Sequence, residues 1–321
     1  MLIQTMARIL FIGIDYFDYP THICAALERL GHTVAYHPIE DRGFASKVAK
    51  TLAFCAYEKH RAAYHARLIE ESASADYDVV LFIQVHQMRH SALESLRALH
   101  PNARFVLYNW DSLSTHDYRP WSRHFDHVAT FDPDDARALG VAYLPLFAIP
   151  RFFEIEPQEP SAHDIYFVGS LVTMQRFDAL ARLYGFCESA GFSTRFHLMC
   201  NPIMKAKLRR AGKSLPGLSG QALGFDEIVA MLEASRATFD FANHNQSGYT
   251  MRLIENMCAG RKIITENPRI LGEQFYREDR FLLVDGHDFT AVPAFLETPV
   301  SSELDENAFH IDAWAKRLIE G

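Results

Sequence analysis

Short, uninterrupted apolar runs alternate with helix-patterned segments along most of the chain, and this alternation leaves few folds open. The first run, Arg8-Ile-Leu-Phe-Ile-Gly-Ile14, ends in a loop. Thr21 to Gly31 follows, with Ile23, Leu27 and Leu30 at helical spacing and a closing glycine, and then comes Thr33-Val-Ala-Tyr36. A strand that is apolar at every position must be covered on both faces, as in a parallel sheet with helices above and below. The pattern recurs in the strand Asp78–Ile83, the helix Ser91–His100 and the strands Arg104–Tyr108 and His127–Phe131. It ends in the short helix Pro133–Leu139 and the run Val141–Leu144.

Pro150 to Ala162 breaks the pattern with three prolines and no periodicity, the composition of an interdomain linker. A second series then begins, with strands at Asp164–Val168, Ser193–Leu198, Ala237–Phe241, Lys262–Thr265 and Phe281–Val284. The chain is therefore expected to be α/β, with two Rossmann-like domains facing a cleft. Residues 1–150 form the first, 163–300 the second, and 301–321 a terminal helix returning to the first. In open parallel sheets, ligands bind beyond the carboxyl ends of the strands.

Composition removes several classes. The 321 residues are 49% apolar and 22% charged, an ordinary globular balance. A net charge of −8 argues against non-specific nucleic-acid binding, which needs a basic excess. No apolar run approaches the ~18–20 residues of a membrane span, and the start lacks a signal peptide's apolar stretch and cleavage site. Cys24, Cys55, Cys187, Cys200 and Cys258 are odd in number and widely spaced, so they read as reduced thiols of a cytoplasmic protein. Arg42 to Glu71 reads as a long amphipathic helix in which Lys47, Lys50, Lys59, Arg61 and Arg67 are interleaved with Phe44, Phe54, Tyr57 and Tyr64. It is either a solvated face over the core or a contact for an anionic acceptor or an inner-leaflet membrane.

The most informative stretch runs from Asn245 to Thr265. A polar loop containing Ser247 and Gly248 leads to a helix starting near Thr250, Gly260 ends the helix, and a buried strand follows. At 100° per residue Leu253, Ile254, Met257 and Cys258 share one side, while Arg252, Glu255 and Asn256 fall on the other. Free backbone N–H groups at a helix start make an anion site suited to a pyrophosphate, and Arg252 and Glu255 could meet a phosphate and a ribose diol. The alternative is an i,i+3 ion pair on a solvated helix, worth ~0.3 kcal/mol. Elsewhere, Asp111 follows the strand Arg104–Tyr108, where a sheet delivers side chains to a cleft. It is a candidate general base or nucleophile, or else the acceptor of an Asx turn. Asp15 and Asp18, after the first strand, compete for that role. His86 is a candidate on the acceptor side, and His244 lies in the loop before the helix.

The stretch resembles the donor-binding segment of GT-B glycosyltransferases, with Glu255, Gly260 and Lys262-Ile-Ile264 in the matching places. More narrowly, the chain is similar to CgeB-like glycosyltransferases of bacterial capsule and lipopolysaccharide clusters. That similarity rests on Gln246, Ser247, Gly248, Thr250, Arg252, Glu255, Lys262, Ile264, Thr265 and Asn267. Phe167-Val-Gly-Ser170 with Arg176, Trp110-Asp-Ser112, Phe125-Asp126, Phe131-Asp132 with Asp135, and Leu144-Pro-Leu-Phe147 also match, and the similarity covers roughly residues 100–300. It implies that Glu255 holds the nucleotide ribose, that the Gly169 turn and Arg176 meet the donor phosphates, and that the loop carrying Asp15 and Asp18 approaches the cleft. The partners it implies are a nucleotide-sugar donor and a glycan or lipid-linked acceptor, with peripheral inner-membrane contact. No cofactor is expected. A helix N-terminus and arginine are expected to stabilise the leaving nucleotide without a metal. Gly13-Ile-Asp-Tyr16 lacks the remainder of a G-x-G-x-x-G fingerprint, against a dehydrogenase. Competing readings are a sugar-nucleotide epimerase of the same fold and a non-catalytic saccharide- or nucleotide-binding partner.

Overall fold

The computed structural model describes residues 6–16, 18–41, 43, 54–156, 160–241, 247–286, 288–301, 303 and 305–321. The chain divides into two compact units. Unit 1 comprises Met1–Phe147, Asn245–Tyr249 and Phe309–Gly321, and unit 2 comprises Ala148–His244 and Thr250–Ala308.

Unit 1 is a six-stranded parallel sheet of order β2-β1-β3-β4-β5-β6. Its strands are β1 (Arg8–Gly13), β2 (Thr33–Pro38), β3 (Val79–Ile83), β4 (Arg104–Asn109), β5 (His127–Thr130) and β6 (Ala142–Tyr143). Every residue of β3 is buried, as an uninterrupted apolar run between two helical layers requires. The crossovers use α1 (Tyr19–Arg29), α2 (Phe54–Ser72), α3 (His90–Leu99), the single turn α4 (Arg119–Ser122) and α5 (Pro133–Leu139). Because β1 sends one crossover to β2 and the next returns to β3 on its other side, the switch point lies between β1 and β3.

Unit 2 is also a six-stranded parallel sheet, of order β12-β11-β10-β7-β8-β9, with two strands rather than one on the far side of its first strand. The strands are β7 (His163–Ser170), β8 (Thr194–Met199), β9 (Leu218–Ser219), β10 (Ser235–Asp240), β11 (Lys262–Thr265) and β12 (Phe281–Leu283). The helices are α6 (Pro150–Phe153), α7 (Met174–Ala190), α8 (Pro202–Arg210), α9 (Phe225–Glu233), α10 (Met251–Cys258) and α11 (Val292–Glu297). Here the switch point lies between β7 and β10.

One sequence expectation changes here and a second is met in part. The proline-rich stretch is not wholly a linker: Pro150 opens α6, Phe152 is fully buried, and its ring lies 5.7 Å from that of Phe225. Proline at a helix start loses no hydrogen bond, so a proline-containing segment can still fold when an aromatic anchors it. The helix read over Arg42–Glu71 is described from Phe54 on, and Phe44, Lys47 and Lys50 lie outside the described residues. Its aromatics turn inward: Tyr64 donates to Pro38 O (2.7 Å) and Tyr57 to Glu40 (3.2 Å), leaving Lys59 and Arg67 exposed. The described part thus packs Tyr57 and Tyr64 over the core and keeps these two cations exposed.

The terminal helix α12 (Ile311–Glu320) belongs to unit 1. Trp314 is buried with its ring 4.4 Å from Phe147 and 5.0 Å from Tyr108. Asp312 pairs with Arg29 at 2.5 Å, and Arg104 donates to Ile319 O at 2.6 Å. No helix among the described residues is long and apolar enough to cross a membrane.

Candidate functional site

A cavity of about 130 Å³ opens in unit 2 at the switch point between β7 and β10. Tyr166 to Gly169 of β7, Thr238 to Phe241 around the end of β10, and Thr250, Arg252, Leu253 and Asn256 of the α10 turn line it, with Arg176 from α7. That volume is below the ~300–1,000 Å³ of a whole-ligand pocket, so it suits one part of a larger ligand. Four residues singled out in the sequence, Gly169, Arg176, Thr250 and Arg252, meet on its wall.

The cavity is furnished with charge. Arg176 donates from Nη1 to Ser170 O (2.7 Å) and lies over the Phe241 ring at 5.1 Å. Its Nε is buried and has no hydrogen-bond partner among the described residues. Burial lowers its guanidinium from the usual value, opposed by the charge of Asp240. Asp240 ends β10, accepting from Thr265 Oγ1 (2.9 Å) and Thr250 Oγ1 (3.2 Å). Burial pushes its carboxyl up, against those two hydroxyls and Arg176. Thr250 also caps α10, accepting from Leu253 N at 3.2 Å. Asp240 escaped the sequence reading because its run, Ala237 to Phe241, reads as buried strand.

Glu255 departs from expectation. It is fully buried, as is Asn256, so the polar side of α10 leaves only Arg252 partly exposed. The Arg252–Glu255 pair does form, at 2.5 Å, but with the carboxylate fully buried and Arg252 at 28% side-chain exposure. The solvated-helix value therefore does not apply. Arg252, not Glu255, reaches the cavity wall. Asn256 accepts from Tyr166 Oη (2.7 Å) and donates to Arg252 O (2.8 Å), tying β7 to α10. Lys262, which the family resemblance aligned with the donor segment, is buried with its ammonium on the carbonyls of Phe295, Leu296 and Thr298, capping α11.

The Ser247–Gly248 loop was read as offering free N–H groups to a phosphate. In the structure these groups serve the protein's own anion. Asp132 accepts from Ser247 N (2.6 Å), the Ser247 hydroxyl and Gly248 N (3.2 Å), and also from Asp134 N (3.0 Å) and Asp135 N (3.1 Å) as the cap of α5. Burial opposes its charge, but Ser247 and the N–H groups of Asp135 and Gly248 outweigh it and hold the carboxyl below its usual value. A Cβ on Gly248 would lie 2.5 Å from the Phe131 ring and 2.6 Å from its carbonyl oxygen, so only glycine permits the approach. These residues belong to unit 1. Gln246 and His244 lie outside the described residues.

Unit 1 has its own cluster at the ends of β3 and β4. Gln84 sits at φ +62° as the one described non-glycine residue in the left-handed region, a conformation that concentrates at functional sites. Its amide donates to Asp111 Oδ2, and His116 Nδ1 lies 3.1 Å from the same oxygen. His86 stacks on His116 with ring centroids 3.7 Å apart. The turn that returns His116 to Asp111 is closed by Thr115 N and His116 N on Ser112 O (2.9 and 3.0 Å), and Leu113 N is tied to Asp135 (2.7 Å). Asp111 Oδ2 thus meets the side chains of both Gln84 and His116. Asp15 and Asp18 are exposed in the loop after β1, and Asp18 stands before α1 without a side-chain cap bond. That loop meets the β4 loop through Tyr19 and Trp110, ring centroids 5.4 Å apart. The sequence reading missed Gln84 and His116, although the spacing Asp111-x4-His116 after a buried strand was visible. Among the described residues no three His, Cys, Asp or Glu gather as a metal site.

Two switch-point sheets of this kind are shared with solved structures. The sucrose-phosphate synthase of Thermosynechococcus elongatus is similar with a TM-score of 0.59 at 13% identity, over 98% of both chains. AviGT4, a glycosyltransferase involved in avilamycin A biosynthesis, gives 0.56 at 14% identity, over 98% of this chain and 96% of that one. The chain has the GT-B fold. A putative UDP-N-acetylglucosamine 2-epimerase from Listeria monocytogenes shares the GT-B fold with a TM-score of 0.55 at 10% identity, over 98% of this chain and 95% of that one. No protein-family model and no curated protein sequence matches. Within this GT-B fold the unit 2 cavity lies where strand order reverses, the position at which open α/β sheets take ligands, and the unit 1 cluster lies at the carboxyl ends of the adjoining strands β3 and β4.

Proposed function

We propose that this chain is a glycosyltransferase moving a sugar from a nucleotide-activated donor to a glycan or lipid-linked saccharide in bacterial surface polysaccharide synthesis. Unit 2 is the donor unit and unit 1 the acceptor unit. The observation carrying this reading is the unit 2 cavity, where Arg176 brings a buried Nε without a partner to a switch point also walled by Arg252. A donor diphosphate oxygen would satisfy that N–H, and both guanidinium groups would stabilise the negative charge that grows on the leaving nucleotide. The acceptor hydroxyl loses its proton to the Asp111–His116 pair. Asp111 holds Nδ1 of the imidazole and thereby leaves Nε2 as the base, while His86 stacking restricts the ring.

A panel of UDP, GDP, CMP and dTDP in thermal shift tests the reading: one nucleotide at 100 times its Kd should stabilise the fold by ~2.7 kcal/mol. Turnover that survives EDTA fits the metal-independent account, and activity lost in chelator and restored by Mg²⁺ overturns it. The fold likeness to a putative 2-epimerase favours one second reading, sugar-nucleotide epimerisation. Nucleotide release dependent on acceptor supports the transferase; a sugar-nucleotide product formed without acceptor supports the epimerase.

A further inference from the structure

From Ser189 to Phe225 the chain has no acidic residue and carries Arg195, Lys205, Lys207, Arg209, Arg210 and Lys213, although the whole chain has a net charge of −8. Four of these cations lie on α8, where Met204 and Leu208 face the core and Lys205, Lys207, Arg209 and Arg210 are all exposed. None of the four has an ion-pair partner among the described residues. At 100° per residue Lys205 and Arg209 lie on one side and Lys207 on the other of an outer face carrying Ile203, Ala206 and Arg210. The helix dipole accounts for cations in the last turn, but not for an exposed isoleucine at the start or for Lys205.

Exposed apolar side chains collect at the same place. Ile203 is 71% exposed, Met199 at the end of β8 is 37% exposed, and Val172 is 61% exposed. Leu171 N donates to Met199 O at 2.7 Å, which sets Val172 beside the strand end bearing Met199. Asn201 accepts from Met204 N (2.8 Å) and starts the helix bearing Ile203 directly after that strand. Apolar side chains exposed among unpaired cations match the interface of an anionic bilayer, where the cations meet headgroups and the apolar chains enter the acyl boundary. A soluble polyanion would need only the charges.

We propose that α8 with the adjoining ends of β7 and β8 is a peripheral docking surface for an anionic lipid bilayer. The inference does not depend on the reaction proposed above, and its test needs no turnover. The full chain is sedimented with phosphatidylcholine vesicles with and without about 30% phosphatidylglycerol, from about 0.1 M to about 1 M salt. Binding should require the anionic lipid and fall away at high salt. Lys205→Gln and Lys207→Gln should each weaken it about fivefold, and the double variant about 25-fold. Ile203→Ser should weaken it about fivefold or more at unchanged charge. All are exposed positions, and an unchanged melting temperature confirms that the fold is intact. Absence of binding to anionic vesicles, or binding indifferent to the α8 variants, overturns the proposal. Loss with the charge variants but not with Ile203→Ser, together with equal competition by single-stranded DNA, also overturns it by showing a general polyanion site.

Discussion

The two units are both six-stranded parallel sheets but equip their strand ends differently. In unit 1 the groups at the strand ends are an amide, a carboxylate and two imidazoles, Gln84, Asp111, His116 and His86, joined by hydrogen bonds and stacking. In unit 2 they are buried charges: Arg176, Asp240 and the Arg252–Glu255 pair. Imidazoles suit proton transfer, whereas fixed cations suit holding an anion. The difference extends into the framework. His22, His65, His100, His124 and His127 of unit 1 are all held below the usual imidazole value, burial being the largest cause in each.

The three tryptophans, Trp110, Trp121 and Trp314, all belong to unit 1, so their fluorescence reports that unit while circular dichroism reports both. The largest expected effect is in unit 2. Glu255→Ala strands Arg252 beside a buried gap and should cost about 3 kcal/mol, moving the dichroism transition in denaturant and leaving the fluorescence transition in place. A shift in fluorescence alone would break the assignment of that pair to unit 2 stability.

Next, Asp111→Asn should lower turnover by ~10²-fold or more with nucleotide affinity nearly unchanged, because a base acts mainly in the transition state. His116→Gln should follow it. If turnover per folded molecule survives in Asp111→Asn and collapses in Asp15→Asn or Asp18→Asn, proton transfer belongs to the β1 loop.

Arg176→Gln should do the opposite, weakening nucleotide binding in titration calorimetry by about 1.5–3 kcal/mol, the range of a charge-assisted bond. Unchanged affinity in the folded variant would remove the diphosphate from this cavity.

The smallest effect concerns acid. Folded imidazoles held below 6.5 bind fewer protons than the unfolded chain, so their contribution is complete above pH 6.5 and lost as pH falls from there through the folded values. The fluorescence transition should therefore move to lower denaturant between pH 7 and pH 5, with His65→Gln reducing the shift. Equal movement of a separate unit 2 phase would erase the contrast.

The sequence by itself determined both sheets. Runs such as Val79–Ile83 and Lys262–Thr265 are apolar or buried at every position, and only a strand covered on both faces needs that. The span of the short helix Pro133–Leu139 was legible, and local groups set both its ends, Asp132 at the start and Gly140 at the close. The family resemblance brought Gly169 and Arg176 into one set with Thr250 and Arg252, and each of the four lies at a strand end or a helix start. Partners distant in sequence decided the remainder. Asp132 reaches Ser247 across 115 residues and fills the loop read as open to phosphate. Lys262 reaches Phe295 O across 33 residues and becomes a helix cap. The solvated side assigned to Glu255 vanished because Tyr166, 90 residues from Asn256, closes the polar face of α10. Periodicity says which side of a helix is polar, but whether that side meets water depends on which element packs against it, and only the tertiary structure specifies that.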